Sequence, residues 1–213
     1  MRIAVLGATG QTGRQLVAQA LARGHEVVAV CREPARLALP VTPSLTLARA
    51  DARRGGELRA ALAGVDAVVS ALGNVRGQAA GVLAAGARAV REAGVARVVW
   101  LGAVGTGATR SAGGPILAAL LPLVLGADLA DKLAAEELAR AGGASIVHAG
   151  PLGNGRARGD GRLLAPAQLP RRWWPRGIAR ADVATLLLDE AERSRFAGAT
   201  AIAFVPELRR QAR

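Results

Sequence analysis

Tyrosine is absent from the 213-residue chain, and cysteine, lysine and methionine occur once each, as Cys31, Lys132 and Met1. A single cysteine excludes a disulfide framework and a cysteine-based zinc site, and no metal centre is expected. Without tyrosine, no phenolic acid is available to any chemistry the chain performs. Long apolar runs are missing too: the stretch Ile116–Leu125 is too short to span a bilayer and is interrupted by Pro122. The opening MRIAVLGATG reads as a strand running into glycines, without the apolar length and small-residue cleavage site of a signal peptide. The expectation is a soluble cytoplasmic protein with no membrane partner.

Charge is one-sided. Basic side chains number 28 against 16 acidic ones, for a net charge of +12. All the basic residues but Lys132 are arginine, which with the heavy use of alanine reads as coding bias. The arginines are scattered, with only the short doublets Arg53-Arg54, Arg171-Arg172 and Arg209-Arg210, so no nucleic-acid partner is expected. A hydrophobic fraction of 51% with 21% charged residues lies outside the disordered and fibrous classes. The length suits one domain with a sizeable core.

Short apolar runs alternate with helical periods. Strands are predicted at Ile3–Leu6, Val27–Cys31, Leu45–Leu47, Ala67–Ser70, Val98–Leu101, Ser145–His148 and Ala201–Val205. Helices are predicted at Thr12–Ala22, Glu57–Ala63, Gly77–Ala93, Leu129–Ala141 and Asp182–Glu192. This order implies right-handed crossovers and a doubly wound parallel sheet covered on both faces, in one α/β domain over residues 1–213. Two irregular stretches, 102–127 and 149–177, follow late strands, where an open parallel sheet forms its ligand crevice. The second is expected to be a variable substrate-side segment.

Gly7-Ala8-Thr9-Gly10-Gln11-Thr12-Gly13 follows the first strand and opens the first helix. Gly7 permits a tight turn, Gly10 lets backbone approach a pyrophosphate, and Gly13 lets the helix sit close to the sheet. The helix N-terminus presents free N–H groups and positive dipole to the anion. Gly7, Thr9, Gly10, Gln11, Thr12 and Gly13 are the candidate phosphate-binding residues.

At these residues the sequence resembles the atypical short-chain dehydrogenase/reductases, in the NmrA-like and biliverdin-IXβ/flavin reductase branch. The likeness continues through HEVVAVCREPARL, ADARRGGEL, GVDAVVSALG, DKLAAEELARAGG and IARADVA. It implies a Rossmann-type fold and a nicotinamide cofactor.

An NAD-selecting site usually ends the second strand on a carboxylate; here the strand ends at Cys31-Arg32, and Arg36 follows. Two guanidiniums at that corner suit a 2′-phosphate and match the NADP-type pattern of the relatives, so NADP(H) is expected over NAD(H). Asp51 follows the third strand. The resemblance gives it the adenine amino group, which is the favoured role, whereas the residue type also suits a helix N-cap. Ala71-Leu72-Gly73 resembles the segment whose backbone lines the cofactor ribose.

Members of the superfamily that bear a catalytic tyrosine use a Ser or Thr after the fifth strand and a Tyr-x-x-x-Lys pair on the next helix. Here the strand runs Trp100-Leu101-Gly102-Ala103 and the helix opens Asp128-Leu129-Ala130-Asp131-Lys132, so Lys132 alone remains of that triad. It suits either contact with the nicotinamide ribose or a surface ladder Asp128–Lys132–Glu136. Asp128 is read as a structural or lysine-orienting group.

His148 ends the sixth strand where many relatives carry Arg-Pro-Gly. It is a candidate proton donor or a structural residue. His25, on an early turn, has no chemical role assigned.

The biliverdin-IXβ/flavin reductase branch dispenses with the Tyr-Lys pair, passing hydride to a loosely bound planar acceptor. In the variable segment Trp173 and Trp174 are candidates for stacking on such an acceptor or for anchoring a loop. Arg171, Arg172 and Arg176 are its candidate cations, and Asp182 is the expected N-cap of the last helix. Two functions follow: an NADPH-dependent reductase of a flavin, tetrapyrrole or quinone, or an NmrA-like NADP(H) sensor that signals to a protein partner, with 115–125 as a docking surface or core helix.

Overall fold

The chain begins with strand β1 (Arg2–Leu6), helix α1 (Gln11–Ala22), β2 (Glu26–Cys31) and β3 (Leu45–Arg49), in a computed structural model. It continues through α2 (Gly55–Ala61), β4 (Ala67–Ser70), α3 (Val82–Ala93), β5 (Arg97–Ala103), α4 (Asp128–Ala141) and β6 (Ser145–Ala149). The last part holds β7 (Leu152–Gly153), β8 (Arg162–Leu164), β9 (Ile178–Ala179), α5 (Arg180–Arg193) and β10 (Thr200–Phe204). The structure describes residues 1–37, 39, 42–74, 80–110, 112, 114, 126, 128–170 and 173–206. The start of the predicted helix Gly77–Ala93, Arg171-Arg172, Arg209-Arg210 and the apolar run Ile116–Leu125 lie outside them.

Eight strands form one sheet in the order β3-β2-β1-β4-β5-β6-β10-β8. All pairs are parallel except β10 with β8. The direction of winding reverses between β1 and β4, whose register pairs Leu6 with Ser70. A crevice therefore opens beyond the carboxyl ends of these two strands.

The period-two alternation of the strands sorts side chains into two cores. Ile3 and Val5 face the layer made with α1 and α5, while Ala4 and Leu6 face that of α2, α3 and α4. Each strand is nearly all apolar because both faces are covered. Polar ties join α1 to α5: Arg23 pairs with Asp189 at 2.8 Å and Glu192 at 2.9 Å, and His25 meets the same Glu192 oxygen at 2.9 Å.

The region after β6 departs from the irregular reading. Leu152 and Gly153 pair in parallel with Ile178 and Ala179, and β8 adds antiparallel to β10. Arg162 seats its guanidinium 5.2 Å from the Phe204 ring centroid, against the strand β8 pairs with.

Asp182 is not the N-cap of α5. The helix begins two residues earlier with Ala179 at the cap position, so Asp182 falls within the first turn. Its buried carboxylate accepts the N–H of Arg158 at 2.9 and 3.1 Å and that of Gly159 at 2.9 Å. It thereby ties the middle of the 149–177 segment to the helix.

Candidate functional site

The glycine-rich turn is set by contacts that exclude side chains. Gly7 has φ +74°, and a Cβ there would meet the Ala71 carbonyl oxygen at 2.8 Å. A Cβ at Gly13 would collide with the Gly7 carbonyl and with Ala8, so α1 can start close to β1 only with glycine at this point. The Gly10 N–H closes the turn on the Gly7 oxygen at 2.9 Å. Gly10 caps α1 in extended conformation, with no side-chain cap and no acidic residue in the first turn. The positive end of the helix is therefore left to an external anion.

From this turn a cleft of about 540 Å³ runs across the carboxyl ends of the strands. Gly7, Thr9, Gly10, Gln11 and Thr12 form its middle, whereas Gly13 packs behind it. Toward β2 and β3 the wall carries Cys31, Arg32, Arg36 and Asp51; toward β4, Ala71, Leu72, Gly73 and Asn74. The far end is made by Leu101–Ala103, Ala149, Gly150 and Leu152, flanked by Lys132 and Arg180.

Arg32 also borders an adjoining hollow with Arg49, Asp51, Arg54 and Glu57, so the corner beyond β2 is rich in cations. Arg36 reaches Glu33 at 3.6 Å with both side chains 64% exposed, a loose contact that leaves the guanidinium available. Arg54 is engaged more firmly, at 2.9 Å from Glu57. Their hydrogen bond holds the Glu57 carboxyl below the usual range and the guanidinium above its own. Asp51 accepts the Arg53 N–H at 3.0 Å. It does not cap α2, whose cap position is Arg54. Burial pushes the Cys31 thiol up, which disfavours the thiolate.

The ladder Asp128–Lys132–Glu136 does not form. Asp128 accepts a hydrogen bond from Asn74 Nδ2 at 2.9 Å, and Glu136 is buried. Lys132 has no hydrogen-bond or ion-pair partner among the described residues and lies on the cleft wall. Asp131, passed over in the sequence, is buried and accepts the N–H of Ala84 at 3.0 Å and Leu83 at 3.2 Å, at the start of α3. Burial alone would raise its carboxyl, but the N–H groups of Ala84, Gly81 and Leu83, with Asn74, outweigh that and hold it below its ordinary value.

His148 does not reach the crevice. It is wholly buried beneath Gly102, with Nδ1 at 2.7 Å from Thr109 Oγ1 and Nε2 at 3.2 Å from Glu136 Oε2. Thr106 Oγ1 lies 2.7 Å from Glu136 Oε1. A Cβ on Gly102 would meet Glu136 Oε1 and His148 Cδ2 at 2.6 Å, so the hydroxyl-bearing residue of the triad has no room at this position. The spacing of Glu136 from Lys132 fits an exposed helical face, as the ladder reading has it, but its carboxylate is buried.

Trp173, Trp174 and Arg176 do not line the cleft either. Trp174 is 51% exposed, and the Arg176 carbonyl packs so closely on Gly150 that a Cβ there would collide with it. Among the described residues of this part of the chain, the cation on the wall is Arg180, which donates to Asn154 Oδ1 at 2.7 Å. The motif IARADVA contains it, but its place in the first turn of α5 was not legible from periodicity. Among the described residues, no group of histidine, cysteine and carboxylate side chains is arranged to hold a metal ion, and no helix is long and apolar enough to cross a membrane.

A family model described as NAD(P)H-binding matches residues 7–194. The chain belongs to this NAD(P)H-binding family. Among solved structures, the anaerobilin reductase ChuY from Escherichia coli O157:H7 is similar with a TM-score of 0.78 and 21% identity, covering 98% of this chain and 99% of that one. A wide-type short-chain dehydrogenase/reductase from Veillonella parvula, solved in complex with NADP, has a TM-score of 0.79 and 17% identity, covering 96% and 94%. At these identities the likeness is one of fold. A curated chloroplastic protein of Arabidopsis thaliana, described as uncharacterized, is 42% identical over 76 residues, 34% of this chain. The match spans only 27% of that relative's length. The NAD(P)H-binding model covers both the glycine turn and Asp182 at the start of α5, so the cleft lining from Gly7 to Arg180 falls within the matched region.

Proposed function

We propose that this protein is an NADPH-dependent reductase of a planar acceptor such as a flavin, tetrapyrrole or quinone. The observation that carries the reading is the asymmetry of the cleft. One end is a cationic corner beside a glycine cradle, and the other is an open floor of Leu101–Ala103, Ala149 and Gly150. The residues present fit a dinucleotide: a side chain at Gly7 would fill the cradle, and nothing acidic opposes a pyrophosphate at α1.

Gly10, Gln11 and Thr12 would hold the pyrophosphate by backbone N–H groups. Arg32 and Arg36 would pair with a 2′-phosphate, and Asp51 would accept from the adenine amino group. Ala71, Leu72 and Gly73 would border the ribose, and Lys132 would donate to the ribose at the floor end. When bound, the reduced nicotinamide supplies the hydride. Among the described residues the floor exposes no carboxyl, phenol or imidazole to the acceptor, so the accompanying proton comes from water entering the open end. Arg180, and not the Trp173–Arg176 stretch, is the side chain suited to an anionic substituent of the acceptor.

The named activity of ChuY and the NADP complex of the Veillonella protein support a reductase and a phosphorylated cofactor. One observation favours a second reading: where the triad would have a hydroxyl, Gly102-Ala103 offers none, which suits a sensor that binds NADP(H) without turnover and signals to a protein partner. NADPH consumption with FMN, biliverdin and simple quinones, with NADH in parallel, tests the choice. Turnover preferring NADPH supports the reductase; tight binding without turnover supports the sensor; no binding of either nucleotide overturns both.

A further inference from the structure

The Glu136–His148 pair lies outside the cleft yet is separated from it by little more than the Gly102 backbone. His148 is fully buried and Glu136 is 7% exposed. Nε2 stands 3.2 Å from Glu136 Oε2 without the alignment of a hydrogen bond, and 2.9 Å from where a Gly102 Cβ would be.

Thr109 Oγ1 accepts the Gly105 N–H at 2.9 Å, and its one proton serves either the Thr106 carbonyl at 3.1 Å or His148 Nδ1 at 2.7 Å. In either tautomer of the ring Nε2 faces the carboxylate, and one further proton belongs to the two residues together. While they hold it, the pair has no net charge, whichever atom carries the proton. Once they lose it, the pair carries a full negative charge under the cleft floor.

The charged groups around the pair are engaged elsewhere or flank the floor from the cleft side, as Lys132 and Arg180 do. On α4, Asp131 is committed to the start of α3, and Lys132 ends on the cleft wall. The ionisable residue of β5, Arg97, donates to the Ala191 and Glu192 carbonyls at the far end of the strand. β10 has no ionisable residue, Arg110 is exposed, and the sequence from 111 to 127 contains no ionisable side chain.

We infer that the proton shared by Glu136 and His148 biases the cleft between reduced and oxidised nicotinamide. The neutral pair favours the uncharged reduced ring, and the deprotonated pair favours the positively charged oxidised ring. This rests on the reading above, with the nicotinamide taken to reach the floor end of the cleft, beside Lys132 and Leu101–Ala103.

The test is the dissociation constants of NADPH and NADP⁺, measured by calorimetry from pH 5.5 to 9 without any acceptor. Both nucleotides carry the same 2′-phosphate, so its own titration cancels in their ratio. In the unmodified protein the preference for NADP⁺ over NADPH should rise several-fold with pH. Glu136→Gln, which cannot become negative, should hold the ratio at its low-pH value. His148→Gln, which leaves Glu136 charged with a neutral neighbour, should hold it near the high-pH value. The two variants thus move the ratio in opposite directions, which a general loss of packing does not do. Binding of both nucleotides with a ratio that is flat with pH, or equally pH-dependent in Glu136→Gln, overturns the inference alone. No binding of either nucleotide by the unmodified protein overturns the reading beneath it as well.

Discussion

Lys132 and Glu136 stand one helical turn apart on α4 and serve different spaces: the lysine ends on the cleft wall, and the carboxylate is buried against His148. A chain that uses arginine for every other cation keeps a compact ammonium at the wall. Lys132→Ala should weaken NADPH binding about tenfold, or ~1.4 kcal/mol, with the fold intact by circular dichroism. Unchanged affinity and turnover would remove the lysine from the site.

The cationic corner makes a sharper prediction about selectivity. Arg32→Glu should raise the Kd for NADPH by about tenfold or more while changing that for NADH much less, because only the former has a 2′-phosphate to repel. Equal losses for the two nucleotides would mean that Arg32 does not read the phosphate.

Arg180 can be tested by choice of acceptor. With FMN as acceptor, Arg180→Ala should raise KM several-fold. With lumiflavin, which has the same ring and no phosphate, KM should stay nearly constant. A parallel change for both flavins would assign Arg180 to the stability of the Asn154 contact instead.

Gly13→Ala forces a methyl group onto the Gly7 carbonyl. Overpacking of this kind costs about 1–3 kcal/mol, so the midpoint of urea unfolding should fall and NADPH binding should weaken with it. An unfolding midpoint equal to that of the unmodified protein would show that α1 has room to move off the sheet.

Acid stability should depend on Asp131. Its carboxyl lies below the ordinary value of 3.8 in the fold because α3 N–H groups hold the charged form. The stabilisation is therefore fully present above about pH 4 and is lost as the pH falls through the lowered value. Asp131→Asn should destabilise the protein at pH 7 by about 1–3 kcal/mol and flatten the acid limb of the stability profile. Parallel pH profiles for the two proteins would exclude this carboxylate as the cause.

The parallel sheet and the glycine turn were legible because their physics is local. Runs such as Val27–Cys31 are apolar throughout since both faces are covered, and Gly7, Gly10 and Gly13 are spaced by the turn itself. Most boundaries moved by one or two residues, as when α5 began at Arg180, while α3 began at Val82 and not at Gly77. What the sequence concealed depends on contacts between distant segments. Strands β7 and β9 are two residues each and have no period to detect. The polarity of Glu136 suggested solvent, whereas His148, 12 positions on, draws it inward. The Trp173-Trp174 pair drew attention by composition, but Leu152 of β7 and Arg180 of α5, not the tryptophans, line the cleft.

The clamp of Asp182 on Arg158 and Gly159, together with the pairing of β7 and β9, closes the 149–177 segment at its base and again at its middle. The pairing of β8 with β10 adds a further fastening, at the sheet edge, so length and composition are freest in the turns between these ties. The segment is thus built like a strap whose loops can take insertion and drift while the strands and the glycine turn stay fixed.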